Sequence, residues 1–353
     1  MNASEPLDDA FARFITRFGG GEPVAMAART LSRAVREGHL CLSLARPPAD
    51  EPEWPSLAEW REALAACRAV GPPSAAPQTP LVLDAEGRLY LARYYRCEQQ
   101  LAEALRSRCG ATGPGGGEGQ EAAVETAVTR PLTLISGGPG TGKTTTVLKI
   151  LERLLAMGPL GRVRLAAPTG KAAARLDEAV RSGVKERGGA LAATVEAIPR
   201  ATTLDRLLGT RPGTTALRYH AENPLPIDLL VVDEASMVAL PLMAKLFEAL
   251  PSAARVILLG DRDQLASVAP GSVLADLADA AGSPQSPLHG ALVMLRTNYR
   301  FGNESAIYRA CEAVRSGDAA TALAVAREGH PELCGMPLPE GEWDAAFREA
   351  VLA

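Results

Sequence analysis

The stretch Gly137-Gly138-Pro139-Gly140-Thr141-Gly142-Lys143-Thr144 fits the pattern GxxxxGK[ST] at every position. These residue types suit one chemistry. Glycines let backbone N–H groups turn inward around phosphates with no Cβ in the way. A helix starting near the lysine adds the partial positive charge of its N-terminus. Lys143 is spaced to reach the β and γ phosphates of a nucleoside triphosphate, and the Thr144 hydroxyl to hold magnesium. Gly137 through Thr145 are therefore the expected binding set for ATP and Mg2+. A second cluster follows 90 residues beyond Lys143, where the apolar run Leu229-Leu230-Val231-Val232 ends in Asp233-Glu234. Asp233 is expected to serve the metal with Thr144, and Glu234 to orient and deprotonate an attacking water. A third apolar run, Ile257-Leu258-Leu259, ends in Gly260-Asp261-Arg262-Asp263-Gln264. Gln264 either senses a γ-phosphate there or belongs to a plain loop.

Such groups work only if rigid elements aim them. Leu132–Ser136, Val163–Ala167, Leu229–Val232 and Val256–Leu259 are nearly continuous apolar runs, as strands covered on both faces are. Each is followed by a glycine or acidic turn and then a helical pattern, the βαβ rhythm of a parallel sheet. Residues at the carboxyl ends of such strands carry the chemistry, and the three clusters fall there. The expected fold class is α/β: a P-loop parallel sheet flanked by helices over 120–300. Ahead of it, 1–108 reads as a small, mostly helical domain. Phe11, Phe14, Ile15 and Phe18 recur at helical spacing, as do Leu31, Ala34 and Val35. Pro80–Leu91, turning at Gly87, reads as a β-hairpin, and Tyr94–Ser107 as a helix. Residues 109–119 are glycine-rich and read as a linker.

Composition narrows the class. Among 353 residues, 47% are hydrophobic, enough for real cores, and the net charge is −4, which is not the mark of a protein with a generally basic surface. Local gripping of a single strand remains compatible with that charge. No apolar run has membrane-spanning length. The start MNASEPLDDAFARF lacks the basic and apolar parts of a signal peptide. Six cysteines, Cys334 the last, are scattered without a CxxC pair, and the four histidines are dispersed. This speaks against disulfide or zinc frameworks and for a reducing, cytoplasmic setting.

Taken together, GGPGTGKTTT, APTGKAA (167–173), VVDEASM (231–237), LLGDRDQLASV (258–268) and LRTNYR (295–300) resemble the first half of the superfamily 1 helicases. The wording is similar to the RecD family, the alpha subunits of exodeoxyribonuclease V, as are REGHLCLSL (36–44) and LYLARYYRCEQQLAEAL (89–105). The resemblance implies a RecA-like ATPase that moves 5′ to 3′ on single-stranded DNA, partnered by RecB and RecC at double-stranded DNA ends in break repair and recombination. It implies that Gln120 reads adenine, that Thr169, Gly170 and Lys171 contact DNA, that Gln264 senses the γ-phosphate, and that Arg300 reaches it across a cleft. Each has a plain alternative: Gln120 as a helix-start residue, Lys171 as a solvated charge, Arg300 as an ion-pair residue. Thr202–Leu208 resembles a further DNA-contacting segment, with Asp205 where the family usually has His.

Residues 301–353 contain neither Lys nor Gln. The late helicase motifs of a second RecA-like lobe are thus expected to be missing, and 301–353 to be only the start of that lobe. ATP binding is expected to persist and turnover by this piece to be weak. The alternatives are an ATP-binding subunit without helicase activity, a stand-alone RecD-like helicase, and a P-loop ATPase with no DNA role.

Overall fold

The computed structural model describes residues 6–48, 53–76, 78–109, 115–185, 188–211, 213, 216–264, 270–299, 302, 305–330 and 333. Arg300, Cys334 and residues 265–268 of the third cluster lie outside them. Contacts divide the chain into two units: Met1–Gly138 with Lys143–Arg296, and Pro139–Gly142 with Thr297–Ala353.

The first unit opens with α1 (Pro6–Thr16) and α2 (Gly21–Arg36). Pro6 begins α1 where its missing N–H is no loss, and Asp8 and Asp9 sit in the first turn. Gly20 enters α2 at φ 90, and a Cβ there would lie 2.1 Å from Val24 Cγ2, so the turn requires glycine. Asp8 is buried and accepts from Ser32 Oγ at 2.7 Å and Arg36 Nη2 at 2.6 Å, which locks the two helices together. Ile15, Leu31, Trp60 and Leu64 fill the core beneath. Phe14, expected to belong to the inward stripe, is exposed and stacks edge-on against Phe18. Strand β1 (Cys41–Ser43), α3 (Leu57–Ala65), β2 (Val70–Gly71), β3 (Leu81–Leu83) and β4 (Arg88–Leu91) follow. The expected hairpin is β3–β4, turning at Gly87 with φ 80. β1 and β2 extend it to a sheet of order β1-β4-β3-β2.

Helix α4 (Ala92–Arg108) leaves this sheet and packs on α10 (Leu240–Ala249). Leu101 and Leu105 enter the same core as Phe247 and Leu250. Arg108, 6% exposed, donates to the carbonyls of Leu250, Pro251, Ser252 and Ala254 at 2.7–3.2 Å and faces the Phe247 ring. Behind α4 the glycines do not form a loose tether over the described part. Gly117–Glu118 is a strand, β5, and a Cβ on Gly115 would lie 2.5 Å from Arg130 Nε. Glycine is used there for close approach.

The main sheet adds β6 (Leu132–Ser136), β7 (Val163–Ala167), β8 (Thr202–Thr203), β9 (Leu229–Val232), β10 (Arg255–Gly260) and β11 (Leu292–Met294) in the order β5-β11-β6-β10-β9-β7-β8. Every pairing is parallel. Side chains alternate along each strand. Leu230, Val232 and Leu258 face α4, α10 and α11 (Val273–Gly282), while Val231, Ile257 and Leu259 face α5 (Gly119–Thr129), α6 (Lys143–Met157), α7 (Gly170–Lys185) and α8 (Gly189–Ala197). This is the expected α/β fold, and double coverage explains the unbroken apolar runs. A short helix, α9 (Leu204–Leu208), follows β8.

In the second unit, α12 (Ala306–Ser316) turns at Gly317, φ 74, into α13 (Ala319–Arg327), which Asp318 caps. Arg309 and Glu328 clasp the helix pair with two 2.8 Å hydrogen bonds. Here too the Tyr299 N–H donates to Gly140 O at 2.8 Å and Asn298 Nδ2 to Pro139 O at 3.1 Å.

Candidate active site

The site residues of the first unit sit at the carboxyl ends of β6, β9 and β10, adjacent strands of the sheet. Just beyond β6, the Gly137 N–H donates to Gly260 O at 3.0 Å, stitching the start of the P-loop to the end of β10. Lys143 and Thr144 begin α6, with both side chains half-buried and Thr145 exposed beside them. Lys143 Nζ donates to Gly137 O at 2.6 Å and Gly138 O at 3.4 Å, so its ammonium lies back against the loop. Gly140 and Gly142 both have φ 81, where an L side chain would be strained.

β9 delivers the two acids. Asp233 N–H donates to Ala166 O at 2.9 Å, and Asp233 Oδ1 accepts from Glu234 N–H at 2.9 Å. Burial pushes the Asp233 carboxyl above the usual carboxylate range, although that N–H and the nearby Lys143 charge pull it down. Glu234 has φ 51 and is the only non-glycine residue with positive φ among the described residues. A left-handed glutamate costs on the order of 1 kcal/mol, a strain that collects at functional positions. The 3₁₀ turn Ala235–Met237 follows directly. Its close approach explains Gly260: a Cβ there would lie 3.0 Å from Ser236 N and 2.4 Å from Leu274.

Gln264 is exposed, and its Oε1 accepts from Ser236 Oγ at 3.5 Å, which links the third cluster to the turn after Glu234. Gln120 lies half-buried in the first turn of α5 and makes no hydrogen bond among the described residues, so it is not joined to the cradle. The expected DNA contacts sit at the end of β7. Thr169 Oγ1 accepts from Ala172 N–H at 3.2 Å and so caps α7. Gly170 has open space where a Cβ would go, so the fold does not demand glycine there, and room is left for something to approach. Lys171 is exposed and has no carboxylate partner among the described residues. Parallel pairing of Ala167 with Thr203 sets the segment before α9 beside this loop.

Sequence reasoning passed over several residues. Asp177 on α7 is buried and accepts from Arg181 Nε at 3.0 Å, Arg200 Nη1 at 2.6 Å and Ala201 N–H at 3.0 Å, which fixes the chain entering β8. Tyr299, 66% exposed, and Asn298 hold the P-loop crest. Both lie in the LRTNYR stretch noted in the sequence, but their hydrogen bonds to the P-loop, one of them from backbone, could not be read from it.

Comparison with known proteins completes the description. The family described as "RecBCD enzyme subunit RecD, N-terminal domain" matches residues 2–90, and the family described as "AAA domain" matches 120–270. The RecBCD enzyme subunit RecD of Mycolicibacterium smegmatis is 41% identical, over 92% of this chain and 60% of that protein. The RecD subunit of Mycobacterium tuberculosis is 43% identical, over 88% and 56%. The ATP-dependent RecD2 DNA helicase of Deinococcus radiodurans is 35% identical, over 66% and 31%. The chain thus spans about 60% of the length of the first of these relatives. Among the described residues no helix is long and apolar enough to cross a membrane. With a match to the RecD N-terminal domain followed by a match to an AAA domain, and with identity to RecD subunits sustained across most of its length, the chain is similar to RecD subunits in both regions.

Proposed function

We propose that this chain is the nucleotide-binding portion of an ATP-dependent 5′ to 3′ DNA helicase, the RecD subunit that works in the cytoplasm beside RecB and RecC on double-stranded DNA ends in break repair and recombination. The observation that carries it is Lys143 laid back against the carbonyls of Gly137 and Gly138, with Asp233-Glu234 at the end of β9, one strand beyond β10 in the same sheet.

The donor chemistry fits ATP with magnesium. The Thr144 hydroxyl and the Asp233 carboxylate are oxygen ligands, which suit a hard cation. Asp233 is buried enough that ionising it unaccompanied is costly, and a cation offsets that. Magnesium, when bound, neutralises charge on the β and γ phosphates. Lys143 exchanges its carbonyl partners for phosphate oxygens. Glu234 takes the proton of the attacking water. Gln264, tied to Ser236, and Arg300 sense the γ-phosphate, and Gln120 reads adenine. Thr169, Gly170 and Lys171 hold single-stranded DNA by its backbone. Residues 1–108 serve as the docking domain, 109–119 as the connection, 120–300 as the ATPase lobe and 301–353 as the lead-in to a second lobe.

The test is ATP binding and DNA-stimulated hydrolysis, with Lys143→Ala as control, and co-elution with RecB and RecC. Nucleotide binding that vanishes in Lys143→Ala, together with co-elution, supports the reading. Binding that survives the substitution sinks the assignment of the cradle.

A further inference from the structure

The described residues between Gly209 and Asn223 take no part in the nucleotide site, yet they are held by defined hydrogen bonds. Both ends return to α9: Thr210 N–H donates to Asp205 O at 3.0 Å and Tyr219 N–H to Leu208 O at 3.2 Å. His220 and Asn223 exchange backbone hydrogen bonds of 3.1 and 3.0 Å, closing a tight turn, and Asn223 Nδ2 donates to Arg218 O at 2.7 Å. Leu217 and Tyr219 pack against the main core and anchor the loop. At the end of α9, Gly209 has φ 72, and a Cβ there would lie 2.5 Å from Arg218 Cβ.

This fold encloses a cleft of about 380 Å³ lined by Arg211, Ala216, Leu217, Arg218 and Asn223. The Arg218 guanidinium lies 5.2 Å over the Tyr219 ring, which restricts where it can point. Neither arginine has a carboxylate within ion-pair distance among the described residues, although Asp205 and Glu222 lie in the same stretch. Two guanidiniums without an acid partner among the described residues, both lining one hollow, suit one tetrahedral anion. The surroundings favour an anion that belongs to a polymer. Lys171, Arg175 and Arg206, on the neighbouring α7 and α9, are likewise exposed and unpaired among the described residues, in a chain whose net charge is −4.

We propose that the Arg211–Arg218 cleft is a second nucleic-acid site, holding one backbone phosphate of the DNA beyond the nucleotides gripped at 169–171. This rests on the reading of the chain as DNA-binding and adds a contact to it.

The experiment measures binding of labelled oligothymidylate to the full chain across a salt series, with ATP affinity and thermal melting in parallel. Arg211→Gln with Arg218→Gln should weaken DNA binding roughly tenfold. The slope of log affinity against log salt should flatten by about 0.7, the share of one single-strand phosphate. ATP affinity should stay unchanged. Arg211→Lys with Arg218→Lys keeps the charge and should restore the slope. Unchanged slope and affinity in a melting-competent glutamine variant would overturn the proposal. So would competition at the arginines by inorganic phosphate with no effect on oligonucleotide binding. Failure of the unaltered chain to bind oligothymidylate would overturn the DNA reading itself. Loss of binding in Lys171→Ala but not in the arginine variants would overturn this inference alone.

Discussion

Glu234 concentrates the chemistry at the residue scale. Its left-handed backbone is a strain the fold carries at one non-glycine position among the described residues, at the point where a buried strand gives way to a 3₁₀ turn. Replacing its carboxylate by an amide keeps shape and hydrogen-bonding reach but removes the group proposed as the base. Glu234→Gln is expected to bind ATP as the unaltered chain does and to hydrolyse it about 10²–10⁴-fold more slowly in the assembled enzyme, read as turnover against nucleotide affinity. Equal turnover would move the base elsewhere. Asp233 and Glu234 were legible in sequence because an apolar run ended in them. The strain at Glu234 was not, since backbone φ at a strand-to-turn junction is set by tertiary packing and leaves no pattern in residue types.

At the scale of elements, the long buried strands and the hairpin were readable, and the two-residue strands were not. β6, β7 and β9 match their apolar runs residue for residue, because burial on both faces writes itself into composition. β5 and β8 have two residues each, too few for any periodicity, and exist because neighbours offer them hydrogen bonds. β8 depends on Asp177. Burial raises its carboxyl, but hydrogen bonds from Arg181, Ala201 N–H and Arg200 outweigh that and hold it below the usual carboxylate range. A depressed folded-state value means that the stabilisation is present above the unfolded value of about 3.9 and disappears as pH falls through the folded one. Asp177→Asn is expected to cost about 1–3 kcal/mol at neutral pH, at the scale of charged hydrogen bonds, since Arg200 is largely solvated. The difference from the unaltered chain should close below pH 4 in acid titrations followed by circular dichroism. A constant difference across pH would show that the charge is irrelevant.

For the whole molecule, α4 is the decisive element. It begins at the end of the N-terminal sheet, yet Leu101 and Leu105 belong to the core beneath the main sheet. A version of the chain beginning at Ala92 should therefore be soluble with intact nucleotide binding. One beginning at Gln120 would expose apolar surface worth about 1.5–3 kcal/mol for each leucine's packing site and should aggregate or melt earlier. Equal melting of the two would contradict this. Arg108 carries the point further. Its guanidinium satisfies four carbonyl oxygens of the turn after α10 and forms no ion pair with an acid among the described residues. A relative that lost this arginine would have to recruit new donors for those oxygens or redraw the turn. Helix and turn are in that sense one heritable unit: the N-terminal sheet can drift, be enlarged or be replaced over evolutionary time, but its last helix travels with the engine.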